Sequence, residues 1–178
     1  CAAKFERIDI VKVLIQKGAD VNAVTKGKDT ALHFAAEKGH VDVAKVLLQN
    51  GADVNAVTIY KTTSLHLAAQ DGHVDVVKVL IQNGARVNAV DYIKWTALHL
   101  AAMKGHVDVA KVLIQNGADV NAVDRDHKTA LHWAAKKGYV DVAKVLIQNG
   151  ADAKALCKKG LTPLVLSSRE YEYSREYE

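Results

Sequence analysis

The amino-acid sequence predicts an all-α repeat solenoid, in which a helix pair and a projecting turn or hairpin recur along the chain. The heptapeptide Gly-Ala-Asp-Val-Asn-Ala-Val occurs at Gly18, Gly51 and Gly117, returns with one substitution at Gly84, and fades at Gly150. The period is 33 residues each time. A fixed period of this length is the signature of one supersecondary unit stacked on copies of itself, so function is expected on a surface and not in a buried cleft.

Each period contains the signals of two short helices. In the second complete unit, Thr63 can cap a helix that closes at Gly72. Apolar residues at helical spacing follow over residues 74–81 and predict a second helix. Residues 52–62 show no helical period and predict a turn or hairpin. We therefore expect an antiparallel helix pair in each unit, with a tip that projects from it.

These signals place a single domain at residues 1–168. The partial first repeat is 1–24, the complete repeats are 25–57, 58–90, 91–123 and 124–156, the partial C-terminal repeat is 157–168, and a tail rich in Tyr and Glu follows at 169–178. The tail contains two Arg and four Glu, so it is acidic and the array before it is basic. We expect the tail to be a frayed terminal helix or an appended segment, and a functional acidic peptide is the alternative.

The repeated motifs resemble those of the ankyrin repeat. Thr-Ala-Leu-His-Phe-Ala-Ala at residues 30–36 has copies at Thr63, Thr96 and Thr129, and the Gly-Ala-Asp-Val-Asn-Ala motif follows the helix pairs. The resemblance covers residues 2 to about 168. It implies L-shaped units of a β-turn and a helix pair, stacked into a curved array whose concave face is made of turn tips and first helices.

The resemblance also implies roles for two recurring polar residues. The His of each Thr-x-Leu-His motif, such as His33, is expected to hydrogen-bond to backbone at the turn. Asn22 and its copies are expected to form turns, and their hydroxylation by an asparagine hydroxylase is left open.

The sequence lacks the patterns of a catalytic or metal-binding site. Equivalent histidines such as His33 and His66 belong to adjacent units about 8–10 Å apart, whereas the ligands of one zinc ion lie about 2 Å from it. No Gly-rich phosphate loop, His-Glu-x-x-His or Cys-x-x-Cys pattern is present, and Cys157 has no catalytic base near it in sequence. We therefore expect neither an enzyme, nor a cofactor, nor a metal ion.

The lengths of the apolar stretches and the positions of the cysteines indicate the cellular environment of the protein. Uninterrupted apolar stretches fall far below the roughly 20 residues that span a bilayer, and no signal-like stretch opens the chain. Cys1 and Cys157 belong to opposite ends of the array, too distant for a disulfide, whose Cα atoms lie within about 7 Å. We therefore expect a soluble protein with free thiols, in the cytoplasm or the nucleus.

The positions at which the repeat units differ in residue type predict the partner-binding residues. They fall at positions two, three and five of each unit, in the tip, and at positions thirteen and fourteen, at the end of the first helix. The candidates in the last three complete units are Ile59, Tyr60, Thr62, Gln70, Asp71, Tyr92, Ile93, Trp95, Met103, Lys104, Arg125, Lys128, Lys136 and Lys137. Tyr60, Tyr92, Trp95 and Met103 are the predicted hot spots, because exposed aromatic residues with a polar rim are typical of protein interfaces.

Other interpretations of the same residues stay open. Ile59 and Ile93 are alternatively packing residues between adjacent tips, and Phe34 and Trp133 are expected in the core. The favoured function is a monomeric, non-enzymatic module that binds a protein. Binding of nucleic acid or another anionic surface, which is less favoured, would use Lys94, Lys104, Lys128, Lys136 and Lys137. A spacer without a partner is disfavoured by the exposed apolar residues.

Variation confined to one surface also resembles designed ankyrin repeat binders, in which the same surface is varied. We therefore favour an engineered or consensus-like binder. Two sets of residues argue for the alternative, a fragment of a natural array that expanded by recent duplication. Lys28, Lys61, Lys94 and His127 stand where designed modules keep glycine, and Ala31, Ser64, Ala97 and Ala130 stand where they keep proline.

Overall fold

A computed structural model of the protein describes residues 2–5 and 7–168. Within these residues every regular element is a helix and none is a strand, so the predicted all-α class is confirmed. The elements are a 3₁₀ helix at Ala2–Phe5 and the α-helices α1 (Ile8–Gln16), α2 (Ala31–Lys38), α3 (Val41–Gln49), α4 (Ser64–Gln70), α5 (Val74–Gln82), α6 (Ala97–Lys104), α7 (Val107–Gln115), α8 (Ala130–Lys137), α9 (Val140–Gln148) and α10 (Pro163–Ser167).

The helices pack in two parallel rows. The first helices of the units, α2, α4, α6, α8 and α10, each contact the next member of their row. The second helices, α1, α3, α5, α7 and α9, form the other row, and in the complete units each first helix also contacts its own second helix. This stacking of helix pairs confirms the predicted solenoid.

One continuous hydrophobic cluster runs between the two rows. In the four complete units the first helices contribute Leu32 and its copies, and the second helices contribute Val43, Leu47 and their copies, all close to fully buried. Burial of one such side chain contributes about 1.5–3 kcal/mol. Pairs of buried alanines, such as Ala35 and Ala36, allow neighbouring first helices to approach closely. The residues that repeat with the period are therefore the residues that build the core.

The histidines of the first helices connect each unit to the next. The hydroxyl of Thr30 accepts a hydrogen bond from the His33 backbone N–H, and His33 Nδ1 accepts one from the Thr30 backbone N–H at 3.1 Å. Because Nδ1 is an acceptor, Nε2 carries the proton, and it donates to the Thr62 carbonyl of the next unit at 3.1 Å. The predicted backbone bonding of these histidines is confirmed, and it extends across the unit boundary.

The same arrangement occurs four times. We call the four residues the bridging histidines: His33, His66, His99 and His132. Burial lowers the pKa of all four, and hydrogen bonds to backbone carbonyls oppose that change in part. The uncharged imidazole is therefore the form that holds adjacent units together.

The asparagines of the repeated heptapeptide form a second connection. Asn22 Nδ2 donates to the Gly51 carbonyl at 2.9 Å, and Asn22 Oδ1 accepts from the Asp53 N–H at 2.8 Å. Asn55, Asn88 and Asn121 make the same pair of bonds to the following unit. The predicted turn asparagines thus use both ends of the side-chain amide to hold the next turn.

Some sequence predictions concern residues outside the described ranges. The tail at 169–178 and the thiol of Cys1 are among them, so neither is tested. Cys157, at the tip of the last partial repeat, is a buried free thiol. None of the helices in the described residues is long and apolar enough to cross a bilayer.

Candidate interaction surface

Each tip is a tight turn held by its first residue. Asp91 N–H donates to the Trp95 carbonyl at 3.0 Å, which closes a five-residue turn. The Asp91 carboxylate accepts from the N–H groups of Ile93 and Trp95 at 2.9 and 2.8 Å. Thr58 makes the equivalent bonds in the preceding tip through its hydroxyl. In these two tips the first residue fixes the tip backbone, and the varied side chains are not needed to close the turn.

The fourth residue of each complete tip has a left-handed backbone. The φ angles are 62° at Lys28, 59° at Lys61, 64° at Lys94 and 59° at His127. We call these four the left-handed residues. Residues with a Cβ rarely adopt this region, and glycine does so without steric cost. The turn therefore demands a conformation for which these side chains are poorly suited.

Successive tips are joined by one backbone hydrogen bond. The second residue of a tip donates its N–H to the third residue of the preceding tip, as Tyr92 does to the Tyr60 carbonyl at 3.0 Å. Ile59 bonds to Gly27 and Arg125 to Ile93 in the same way, at 3.0 and 3.2 Å. The predicted turn is present, while a strand-paired hairpin is not found in the described residues. These bonds align the varied side chains of neighbouring tips.

Aromatic and basic side chains from three successive tips form the first cluster. The rings of Tyr60 and Tyr92 lie 5.9 Å apart between centroids, tilted by 48°. The Arg125 guanidinium carbon lies 5.1 Å from the centroid of the Tyr92 ring. Tyr60 is 60% exposed and Tyr92 is 49% exposed. We call Tyr60, Tyr92 and Arg125 the tip cluster, in which two neighbouring rings are followed by the guanidinium of Arg125.

A second cluster forms around two indole rings. Trp95 and Trp133 lie 4.9 Å apart between centroids with a tilt of 58°, and both are half-buried. The ammonium nitrogens of Lys128 and Lys136 lie 4.7 and 6.0 Å from the Trp133 ring centroid. We call Trp95, Trp133, Lys128 and Lys136 the tryptophan cluster. Its two cations are held against the same ring by cation–π attraction.

A buried carboxylate positions this cluster. Asp124 is only 3% exposed, and one of its oxygens accepts from the N–H groups of Asp126 and Lys128 at 2.8 and 2.9 Å. Its other oxygen accepts from the Trp133 indole N–H at 3.1 Å. Asp124 therefore fixes both the tip that carries Lys128 and the orientation of the Trp133 ring.

None of the fourteen predicted binding residues is buried. The exposed ones are Ile59, Tyr60, Asp71, Tyr92, Lys104, Arg125, Lys136 and Lys137, and the half-buried ones are Thr62, Gln70, Ile93, Trp95, Met103 and Lys128. Six of the fourteen meet in the two clusters. Ile59 is 54% exposed and is thus not a buried spacer between tips. A role of these residues in binding stays a prediction.

The expected core position of Trp133 is wrong. Its ring is half-buried, and it lies on the surface against Trp95. The equivalent Leu67 is also half-buried and Leu100 is 7% exposed, so this position lies at the margin of the core. An indole is too large for that margin, and its N–H needs a polar partner, which Asp124 supplies. The sequence did contain a signal for this surface position, because Trp133 stands where the other units carry smaller apolar residues.

Phe34, the other residue expected in the core, is also half-buried. It lines an apolar groove at the N-terminal unit, together with Val24 and Leu47. The expectation of a core position is therefore wrong for both aromatic residues of this helix position.

Charge is unevenly distributed over the varied positions. In units 25–57 and 58–90 these positions carry two basic and three acidic residues. In units 91–123 and 124–156 they carry five basic residues and one acidic residue. The tryptophan cluster lies in the basic half, and Lys128 has the one acidic residue there as its ion-pair partner, Asp126, at 3.8 Å. The described residues contain no group of three or more side chains placed to hold a metal ion.

Comparison with known proteins agrees with this architecture. The family model described as ankyrin repeats (three copies) matches residues 1–91, 58–124, 87–157 and 123–174. A comparison with curated proteins found no match. The overlapping matches extend over nearly the whole chain. Repeats of this kind are generally protein–protein interaction modules and are typically not enzymes.

Proposed function

We propose that this chain, which belongs to the ankyrin repeat family, is a non-enzymatic module that binds a protein partner. The proposed binding face is the concave one, formed by turn tips and first helices. The observation that carries the proposal is the pair of adjoining clusters, in which solvent-accessible rings of Tyr60, Tyr92 and Trp95 are flanked by cations. Surface rings in contact with one another expose apolar area that a partner can cover, and such residues dominate binding energy in interfaces.

Different residues build the fold and form the proposed binding face. Core, caps and inter-unit bonds depend on residues that repeat with the period, whereas most of the cluster residues occupy positions that differ between units. Near-identical units that vary at one face are typical of an engineered, consensus-like binder, which we propose as the origin. The left-handed residues favour the alternative of a natural array, because a sequence chosen for stability would carry glycine there.

A double substitution tests the proposed surface. Tyr92→Ala with Trp95→Ala should abolish capture of the partner from a cell lysate. The lost ring pairs Tyr60–Tyr92 and Trp95–Trp133 contribute about 0.5–1.5 kcal/mol each beyond the area they bury, so the variant should stay folded with a modestly lower thermal midpoint. Val140→Ala with Ile147→Ala is the matched control, because these residues of α9 are exposed apolar side chains outside the varied positions. Loss of stability with retained capture would contradict the proposal, as would equal loss of capture in the control.

Nucleic-acid binding is the second candidate, and the basic half of the varied face is the observation that favours it. Counterion release makes such binding fall steeply with salt, by about 10³–10⁵ between about 50 and 200 mM for six to ten phosphate contacts. Measuring the affinity for a single-stranded oligonucleotide across that salt range tests whether the protein binds nucleic acid. Affinity that is absent at low salt, or does not change with salt, excludes this candidate.

A further inference from the structure

The basic half of the varied face has cations without acidic partners. In the described residues, Lys136 and Lys137 have no carboxylate within ion-pair distance, and the only such partner of Lys128 is the well exposed Asp126. The aspartates that begin the tips of these two units are occupied by other bonds. Asp91 accepts two backbone N–H groups, and Asp124 accepts two backbone N–H groups and the Trp133 indole N–H. The lysines therefore remain available to an anionic ligand.

These cations are also preoriented. Lys128 belongs to a tip and Lys136 to helix α8, yet both ammonium groups lie against the ring of Trp133. A lysine held in this way loses less side-chain freedom when it pairs with a carboxylate, which lowers the entropic cost of binding. The neighbouring ring of Trp95 offers half-exposed apolar area beside the two charges.

We propose that the tryptophan cluster recognises a short acidic segment of a protein partner, in which carboxylates pair with Lys128 and Lys136 and an apolar side chain packs on Trp95. This inference rests on the proposed function and names the chemistry of its partner. Two stacked units extend over about 16–20 Å, which an extended peptide covers with about five or six residues. The complementary segment is therefore about six residues long, acidic, and carries an apolar residue next to its carboxylates.

The distribution of charge favours a peptide over a nucleic acid. A polyanion follows a continuous basic track with stacking rings along it. At the varied positions an excess of basic over acidic residues is confined to two units, and in the adjacent units these positions carry two basic and three acidic residues, among them Asp71. A short acidic segment fits the basic half, and the exposed rings of the tip cluster remain free for apolar contacts beyond it.

Intrinsic fluorescence reads this site directly, because Trp95 and Trp133 are the only two tryptophans of the chain. Iodide should quench their emission more strongly than caesium, with acrylamide as the neutral reference, because the two lysines make the local potential positive. Lys128→Gln with Lys136→Gln should lower the ratio of iodide quenching to caesium quenching. Lys111→Gln with Lys144→Gln is the matched control: it removes the same charge from exposed ion pairs with Asp108 and Asp141 on the second helices.

A peptide titration then tests recognition. The probe is a peptide of about six residues with Glu on both sides of a central Leu, and a second peptide has Gln in place of each Glu. We expect the acidic peptide to change the emission of the full chain and to bind about tenfold more weakly, 1.4 kcal/mol, to the Lys128→Gln and Lys136→Gln variant. The control variant should bind like the wild type, and circular dichroism should show both variants folded.

The outcomes separate the inference from the proposed function. Equal binding of the Gln peptide, equal weakening in the control variant, or no response to the acidic peptide at millimolar concentration would overturn the inference. Tighter binding of a single-stranded oligonucleotide than of the peptide at the same salt would overturn it as well. If the lysine variant still captures a partner that Tyr92→Ala with Trp95→Ala loses, the proposed function stands and only the acidic segment is wrong.

Discussion

Replacement of a left-handed residue by glycine should stabilise the protein. Lys61 has φ near 59°, and its side chain is exposed, so the substitution removes no buried contact. A residue with a Cβ pays about 1–2 kcal/mol in the left-handed region. Glycine avoids that cost but loses about 0.5–1 kcal/mol more backbone entropy on folding. The expected net gain for Lys61→Gly is therefore about 0.5–1 kcal/mol in the free energy of unfolding.

Two controls separate backbone strain from other effects. Lys61→Ala removes the charge but keeps a Cβ at the same φ, so it should bring little or no gain. Lys26→Gly adds a glycine to a tip position without positive φ, so it should lose about 0.5–1 kcal/mol. Equilibrium unfolding in urea, monitored by circular dichroism, gives the midpoint and slope for each variant, and an unchanged slope makes the midpoints comparable.

The same substitution at all four left-handed residues extends the test. Their tips lie about one helix-packing distance apart, so the gains should be nearly additive and reach about 2–4 kcal/mol in total. A Lys61→Gly variant as unstable as Lys26→Gly would refute the reasoning, because the positive φ would then carry no cost. Equal gains from Lys61→Gly and Lys61→Ala would assign the effect to charge instead.

Two further predictions concern buried polar groups. Because burial lowers the pKa of the bridging histidines in the folded chain, the unfolded chain binds more protons below their ordinary pKa of 6.5. The free energy of unfolding should thus lose up to about 1.4 kcal/mol per pH unit for each of these histidines as the pH falls below that value. Urea midpoints measured from about pH 8 to pH 5 check this, and a flat profile would contradict the role of the neutral imidazoles. Asp124→Ala should destabilise by about 1.5–3 kcal/mol, because it removes the acceptor of two backbone N–H groups and of the Trp133 indole. Asp124→Thr should cost less, because Thr58 closes the equivalent tip with its hydroxyl, and equal losses in the two variants would rule out the turn-closing role.

Much of the fold could be predicted from the sequence because the residues that determine it act locally. The helix predicted to open at Thr63 is found at Ser64–Gln70, and the apolar run over residues 74–81 is the helix Val74–Gln82. Caps and apolar spacing act within one or two turns of helix, so they can be read without knowledge of neighbours. The contact between neighbouring tips could not be predicted from the sequence, because a single bond such as that from Tyr92 to Tyr60 depends on how the units stack.

The sequence by itself determined the repeating unit, its helices, and the set of positions at which the units differ. The tertiary structure alone decided which of those positions meet. Trp95 belongs to one tip and Trp133 to the first helix of the next unit, and their rings come together because the units stack in register. A periodic pattern reports which face of a unit is buried, but contacts between large side chains of adjacent units depend on the separation and orientation of those units. That geometry is set by the bridging histidines, the turn asparagines and the shared core.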